Sequence, residues 1–290
     1  MAPNDEIAGK YKRFGCKVLL VGEYLVLNGW SSLAMPYATF GGGLQFGQGY
    51  QPEFNWSHLV DFLMEKEIPL NFTDLQKDLS CGLVFRANIP MGYGLGSSGA
   101  LVASLFDAYH TSSFQNLNDL KLILARMESF FHGQSSGIDP LVILVNQGIL
   151  LTPENVISVN IQQESLKNWY LLDSGISRSS TSFIKHYREE LYPHHTSEIT
   201  NLAAHNGALI EILTQGETKG QLQSGIWKAI SEIQLTIFSK MIPHQIQELW
   251  QRGLETDAYY LKLCGAGGGG FFLLYNNSIE LPENIHLLKL

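Results

Sequence analysis

A chain of 290 residues with 45% hydrophobic side chains can bury one large core or two modest ones. Its formal net charge of −8 argues against a nucleic-acid-binding surface, and no run of about 18 apolar residues is present to cross a membrane. Cys16, Cys81 and Cys264 lie far apart with no C-x-x-C pair, which disfavours zinc and disulfide frameworks and fits a reducing cytoplasm; the polar start, Met-Ala-Pro-Asn-Asp-Glu, does not read as a signal peptide.

In chain order, residues 17–27 read as a strand dominated by valine and leucine, and Gly29 to Gly49 as a glycine-rich, turn-prone stretch with short strands. Ser57 to Lys66 has helical spacing. An apolar segment at Leu83–Ile89 is followed by a glycine-serine loop and then by helical spacing from Leu101 to Tyr109. Leu117 to Phe131 is a second amphipathic helix, with His132-Gly133 as its stop. Pro140 to Gln147 is apolar without a clear period. Strands follow at Gly148–Thr152 and Trp169–Asp173, helices at about 196–215, 220–241 and 243–256, and a last strand at Gly270–Tyr275.

The loop Pro90-Met-Gly-Tyr-Gly-Leu-Gly-Ser-Ser-Gly-Ala100 carries the most information. Glycines between a strand and a helix let backbone N–H groups approach a ligand, and the helix start attracts an anion. Ser97 and Ser98 add hydroxyls that can cap the helix, bind phosphate or ligate a hard cation. No G-x-x-x-x-G-K-[ST] pattern exists, so an ordinary P-loop is not expected. G-x-G-x-x-G occurs at Gly94, Gly96 and Gly99, and again at Gly265, Gly267 and Gly270, which keeps a dinucleotide-dependent oxidoreductase as a rival. On residue type alone, Glu128 reads as an ordinary helix-surface carboxylate and Asp139 as a turn residue before proline. Glu23 interrupts an apolar run, which is costly unless the carboxylate is paired or lines a site.

Three segments together resemble the GHMP kinases: Lys17-Val-Leu-Leu-Val-Gly-Glu-Tyr-Leu-Val-Leu27, the Pro90–Ala100 loop, and the run from Leu263-Cys-Gly-Ala-Gly267 through Gly270. They stand near the start, about a third along and near the end, so the resemblance spans almost the whole chain. Phe131-His-Gly-Gln-Ser-Ser-Gly-Ile-Asp-Pro140 is similar to the H-G-x-x-S-G-x-D segment of mevalonate kinases, and Glu128 stands eleven residues before Asp139, as in that family. Leu171 to Thr181 resembles the strand and Arg-Ser/Thr turn that opens their second domain. Gly22-Glu23-Tyr24 departs from Gly-Glu-His and is more typical of phosphomevalonate kinases.

The resemblance implies an α/β (α+β) two-domain GHMP kinase fold, with domains at 1–165 and 166–290 and the active site in the cleft between them. It implies ATP and Mg²⁺. Asp139 would act as general base or orienter of the acceptor hydroxyl, and Lys17 would lower that hydroxyl's pKa. Gly92, Gly94, Leu95, Gly96, Ser97 and Ser98 would hold the nucleotide. Ser98 and Glu128 would ligate the metal. Glu23, Tyr24, His132, Arg178, Gly265, Ala266 and Gly267 would meet the substrate, Arg178 through a bidentate carboxylate contact. The acceptor would be a small hydroxy acid: mevalonate first, in isoprenoid precursor synthesis, with phosphomevalonate as the rival and galactose or homoserine behind. A catalytically silent nucleotide-binding relative is the non-enzyme alternative. No nucleic-acid or membrane partner is expected, the setting is cytoplasmic, and a homodimer is compatible with this reading.

Overall fold

The computed structural model describes residues 10–47, 54–177, 181–216, 220–278 and 285–290. Over these residues the chain forms two compact units, each drawn from separate stretches of sequence. One takes the segments up to Lys17, Pro36–Pro90 and Leu95–Ile149; the other takes Val18–Met35, Met91–Gly94 and Leu150–Leu290.

Strand β1 runs over Arg13–Val21 and β2 over Ser32–Phe46, joined by a short 3₁₀ turn at Leu25–Asn28. The apolar run that reads as strand to residue 27 therefore leaves the strand at Gly22. Leu25 is buried from within the turn instead. The glycine-rich stretch is also not a set of turns: β2 is one strand of fifteen residues. Its glycines serve close packing. A Cβ on Gly41 would stand 2.4 Å from the Phe14 carbonyl oxygen, and one on Gly42 would stand 2.5 Å from the Phe85 ring.

Helices α1 (Trp56–Glu65) and α2 (Phe72–Ser80) each begin behind an asparagine. The Asn55 side chain accepts from the Ser57 N–H at 2.9 Å and Asn71 from the Asp74 N–H at 3.1 Å. Strand β3 (Leu83–Ala87) lies antiparallel on β2, with Gly42 opposite Ala87 and Phe46 opposite Leu83. Then come α3 (Ser97–Tyr109), α4 (Leu117–His132) and α5 (Ile138–Val145), which pack on one another. Asn116 caps α4 through the Asp119 N–H at 3.0 Å, and Gly133 ends it. The packed faces supply the core of this unit: Leu101, Leu105, Leu120, Leu124, Met127, Leu141 and Val142, each at most 3% exposed.

Strands β4 (Gly148–Leu151) and β5 (Val156–Val159) follow and pair with each other. The second unit holds a four-stranded sheet in the order β7-β8-β6-β9, with β6 at Trp169–Asp173, β7 at Tyr259–Leu263, β8 at Phe271–Asn276 and β9 at Leu287–Lys289. Strand β8 is thus not the last; β9 pairs antiparallel on β6 beyond it. Between β6 and β7 run α6 (Thr181–His186), a π turn at Tyr187–Leu191, α7 (Tyr192–His194), α8 (Thr196–Gln215), α9 (Gly220–Ile237) and α10 (His244–Thr256). Helices α9 and α10 pack on β7. Trp169 and Trp227 meet edge to face at 4.6 Å between ring centroids, both fully buried. Strand β7 is an edge strand, and α9 closes that edge. The Leu261 N–H donates to Ser231 Oγ at 3.3 Å and the Leu263 N–H to Gln234 Oε1 at 2.8 Å.

Candidate functional site

The site is built on the ends of three helices. The sequence turns into α3 at Gly96, whose φ of 78° lies in the left-handed region that favours glycine. A Cβ there would stand 3.2 Å from Lys17 Cγ, 3.3 Å from Ile143 Cδ1 and 3.5 Å from Asp139 Oδ2. The loop backbone therefore lies directly against Lys17 and Asp139. The Lys17 N–H donates to the Leu95 carbonyl at 3.0 Å, which ties the start of the chain to the loop.

Asp139 does not sit in a non-helical turn before proline. It occupies the first turn of α5, behind the Gly137 N-cap, where a carboxylate complements the helix dipole. Pro140 follows in that same turn, whose N–H groups need no partner within the helix, so proline does not break it. The Lys17 ammonium contacts Asp139 Oδ1 at 3.0 Å. The lysine side chain is 8% exposed and the aspartate 33%, so the pair is half sheltered with the carboxylate open to solvent.

Glu128 sits in the last turns of α4, 4% exposed. Both of its carboxylate oxygens accept a hydroxyl: Ser98 Oγ donates to Oε1 at 3.1 Å, and Ser135 Oγ donates to Oε2. The other contact of Ser98 is His132 Nε2 at 3.0 Å. A serine hydroxyl has one proton; with that proton on Glu128, His132 must be the donor at Nε2. Ser98 therefore does not cap α3, and Gly96 offers no side chain for that role. Burial pushes the Glu128 carboxyl up to about 7, and the nearby negative charge of Asp139 adds to this. The Ser135 and Ser98 hydroxyls and the Lys17 charge oppose it. Two buried or half-buried carboxylates facing one ammonium leave room in the charge balance for a hard cation, with Ser98 Oγ and Glu128 as oxygen donors. Among the described residues there is no group of three or more His, Cys, Asp or Glu that would bind a metal unaided. The donor set fits a cation that keeps waters and takes its other ligands from phosphate, as Mg²⁺ does.

Gly92, Gly94 and Ser97 lie along the loop into α3, and Leu95 is buried at 1%. In the second unit, Glu23 and Tyr24 stand in the turn after β1. The Glu23 carboxylate pairs with Lys262 of β7, and both side chains are fully buried. The costly buried carboxylate is thus accounted for by an ion pair. The Tyr24 hydroxyl donates to the Ala266 carbonyl, and its ring packs on Tyr187 and Phe238 at 5.0 and 5.4 Å. Gly265, Ala266 and Gly267 form the turn between β7 and β8, where a Cβ on Gly267 would stand 2.5 Å from the Met241 carbonyl. Arg178 lies outside the described residues. Two residues escape the sequence reading. Lys262 is the lone charge in Tyr-Tyr-Leu-Lys-Leu, a signal that pairs logically with the lone Glu23. Ser135 stands at an open position of the H-G-x-x-S-G-x-D pattern and carries no such signal.

Residues 54–147 match the family described as GHMP kinases N terminal domain. That span includes the loop into α3, Glu128 and Asp139. No curated protein matches the chain in sequence. Among solved structures, mevalonate kinase from methicillin-resistant Staphylococcus aureus is 18% identical, with 94% of this chain and 90% of that one covered and a TM-score of 0.59. The Methanococcus jannaschii mevalonate kinase is 15% identical, with 92% of each chain covered and a TM-score of 0.63. Streptococcus pneumoniae phosphomevalonate kinase, in complex with phosphomevalonate and AMPPNP, is 16% identical, with 93% and 92% covered and a TM-score of 0.62. At these identities the likeness is one of fold. Enzymes named for different acceptors share it.

Proposed function

We propose that this chain, whose residues 54–147 match the GHMP kinase N-terminal domain, is a GHMP kinase that transfers the γ-phosphoryl group of ATP to the hydroxyl of a small hydroxy acid, with mevalonate as the preferred acceptor. The observation that carries the reading is the Lys17–Asp139 pair at 3.0 Å with the Gly96 backbone against both. A half-exposed carboxylate, an ammonium and a glycine loop at a helix start, drawn from three distant stretches of chain, are what phosphoryl transfer to an alcohol needs.

In this reading the loop from Gly92 to Ser98 holds the triphosphate through backbone N–H groups at the start of α3. Ser98 and Glu128 hold Mg²⁺, which neutralises charge on the phosphates when bound. Asp139 accepts the acceptor's hydroxyl proton or orients that hydroxyl. A bond forms between the acceptor oxygen and the γ-phosphorus, the bond to the β,γ-bridging oxygen breaks, and ADP leaves. Lys17 stabilises the negative charge that develops on the attacking oxygen. Tyr24 holds the Gly265–Gly267 turn through the Ala266 carbonyl, and Arg178 would pair with the acceptor carboxylate. The proposed division places the first domain at 1–165 and the second at 166–290.

Phosphomevalonate remains the second reading because of Gly22-Glu23-Tyr24. A phosphorylated acceptor needs extra Lys or Arg, and the chain has only 19 in total. A coupled ADP-release assay with mevalonate, phosphomevalonate, galactose and homoserine tests this. The expected result is the highest kcat/KM for mevalonate. A clear preference for phosphomevalonate hands the acceptor to the second reading, and NAD binding in place of ATP overturns the class.

A further inference from the structure

The turn between α4 and α5 holds a hydroxyl with two jobs. Ser135 Oγ donates to Glu128 Oε2 and accepts the Gly137 N–H at 2.9 Å. Gly137 is the residue from which α5 starts, with φ of 74°. It is wedged against α4: a Cβ there would stand 2.3 Å from the Lys121 carbonyl oxygen and 2.9 Å from Ala125 Cβ. Asp139 follows two residues later. Ser135 thus bonds at once to the buried carboxylate on α4 and to the backbone that launches the aspartate on α5. The other oxygen of Glu128 is already taken by Ser98, so the two hydroxyls together fix the carboxylate's rotation.

We propose that Ser135 is a positioning residue, whose hydroxyl orients the Glu128 carboxylate toward a bound divalent cation and holds it in register with Asp139. The inference rests on the reading of Glu128 as a cation-holding group. The H-G-x-x-S-G-x-D pattern leaves position 135 open, so the resemblance assigns Ser135 nothing. Its neighbour is an internal control. Ser136 Oγ accepts the Ile138 N–H at 3.3 Å, a bond within the turn itself.

A hydroxyl bonded to a carboxylate is a charge-assisted contact, and without it the carboxylate is free to turn away from the cation. The test is Mn²⁺ binding to the protein–ADP complex by titration calorimetry, with amide hydrogen exchange at Gly137, for wild type, Ser135→Ala, Ser135→Thr and Ser136→Ala. Ser135→Ala should weaken Mn²⁺ binding about tenfold, the loss expected for one hydrogen bond to a charged group, and speed exchange at Gly137. Ser135→Thr keeps the hydroxyl and should stay near wild type in both. Ser136→Ala should leave Mn²⁺ binding unchanged. Wild-type Mn²⁺ affinity in Ser135→Ala, even with faster exchange, makes Ser135 a turn residue and overturns the proposal. Equal losses in Ser135→Ala and Ser136→Ala overturn it too, as does a wild type that binds no Mn²⁺. A wild type that binds Mn²⁺ in a Ser135-dependent way yet phosphorylates none of the four alcohols sinks the kinase reading and leaves this one standing.

Discussion

Replacing Lys262 with methionine should cost about 3–5 kcal/mol of folding stability, because it strands a buried carboxylate. The figure follows from the geometry. Lys262 and Glu23 are both 0% exposed at their side chains. The ammonium also donates to the Leu20 and Leu263 carbonyls at 2.8 Å each. Methionine matches the lysine stem in length, so little packing is lost and the cost is electrostatic. Removing it leaves Glu23 without its counter-charge and two buried carbonyls short of a donor. Glu23→Gln alone should also destabilise, since it leaves the ammonium without a full counter-charge. The double variant leaves no charge in the pocket and should recover the part of the loss that comes from the stranded charge, while the two carbonyls stay short of the lysine donor. Urea unfolding followed by tryptophan fluorescence measures this as a shift in midpoint at constant slope. Losses below about 1 kcal/mol in Lys262→Met, or a double variant no better than the singles, would refute the argument that the pair is held together by mutual burial.

Three further outcomes test the site. Asp139→Asn keeps the size of the side chain and removes its basicity; kcat should fall at least about 100-fold while ADP binding is largely kept, and near-full turnover would remove Asp139 from the mechanism. Gly96→Ala puts a methyl 3.2 Å from Lys17 Cγ at a φ of 78°, so stability should fall by about 1–2 kcal/mol and activity by more than that loss explains; an unaffected kcat would show that the loop can shift without cost. Glu128 has a folded pKa raised from 4.5 to about 7, so the folded protein keeps a proton that the unfolded chain releases between those values. Stability without cation should therefore be highest below about pH 4.5 as far as this group is concerned, and fall as pH rises toward 7. The Mg²⁺ concentration needed for half-maximal activity should rise as pH drops through about 7, because the proton competes with the cation. In Glu128→Gln both dependences should flatten, and a wild-type profile in that variant would assign them to another group.

Local chemistry determined much of this protein. The asparagines at 55, 71 and 116 mark helix starts because a short side chain there meets an orphan N–H, a contact that needs no distant residue. The glycine-serine loop between strand and helix is legible as a backbone that approaches a ligand, whereas Glu128 reads on residue type as a surface carboxylate and is buried only because α4 packs on α3 and α5. Tertiary structure decided the rest. Gly41 and Gly42 read as turn residues, yet they lie within a strand because Phe14 and Phe85 press on them, and a sequence window cannot see partners more than twenty residues away. Asp139 reads as a turn before proline, yet it heads a helix because Gly137 is wedged against α4. Glu23 reads as a ligand-facing residue, and its partner Lys262 stands 239 positions along the chain. A buried charge is tolerable only where its counter-charge arrives, and that meeting is settled by packing, not by either residue's neighbours.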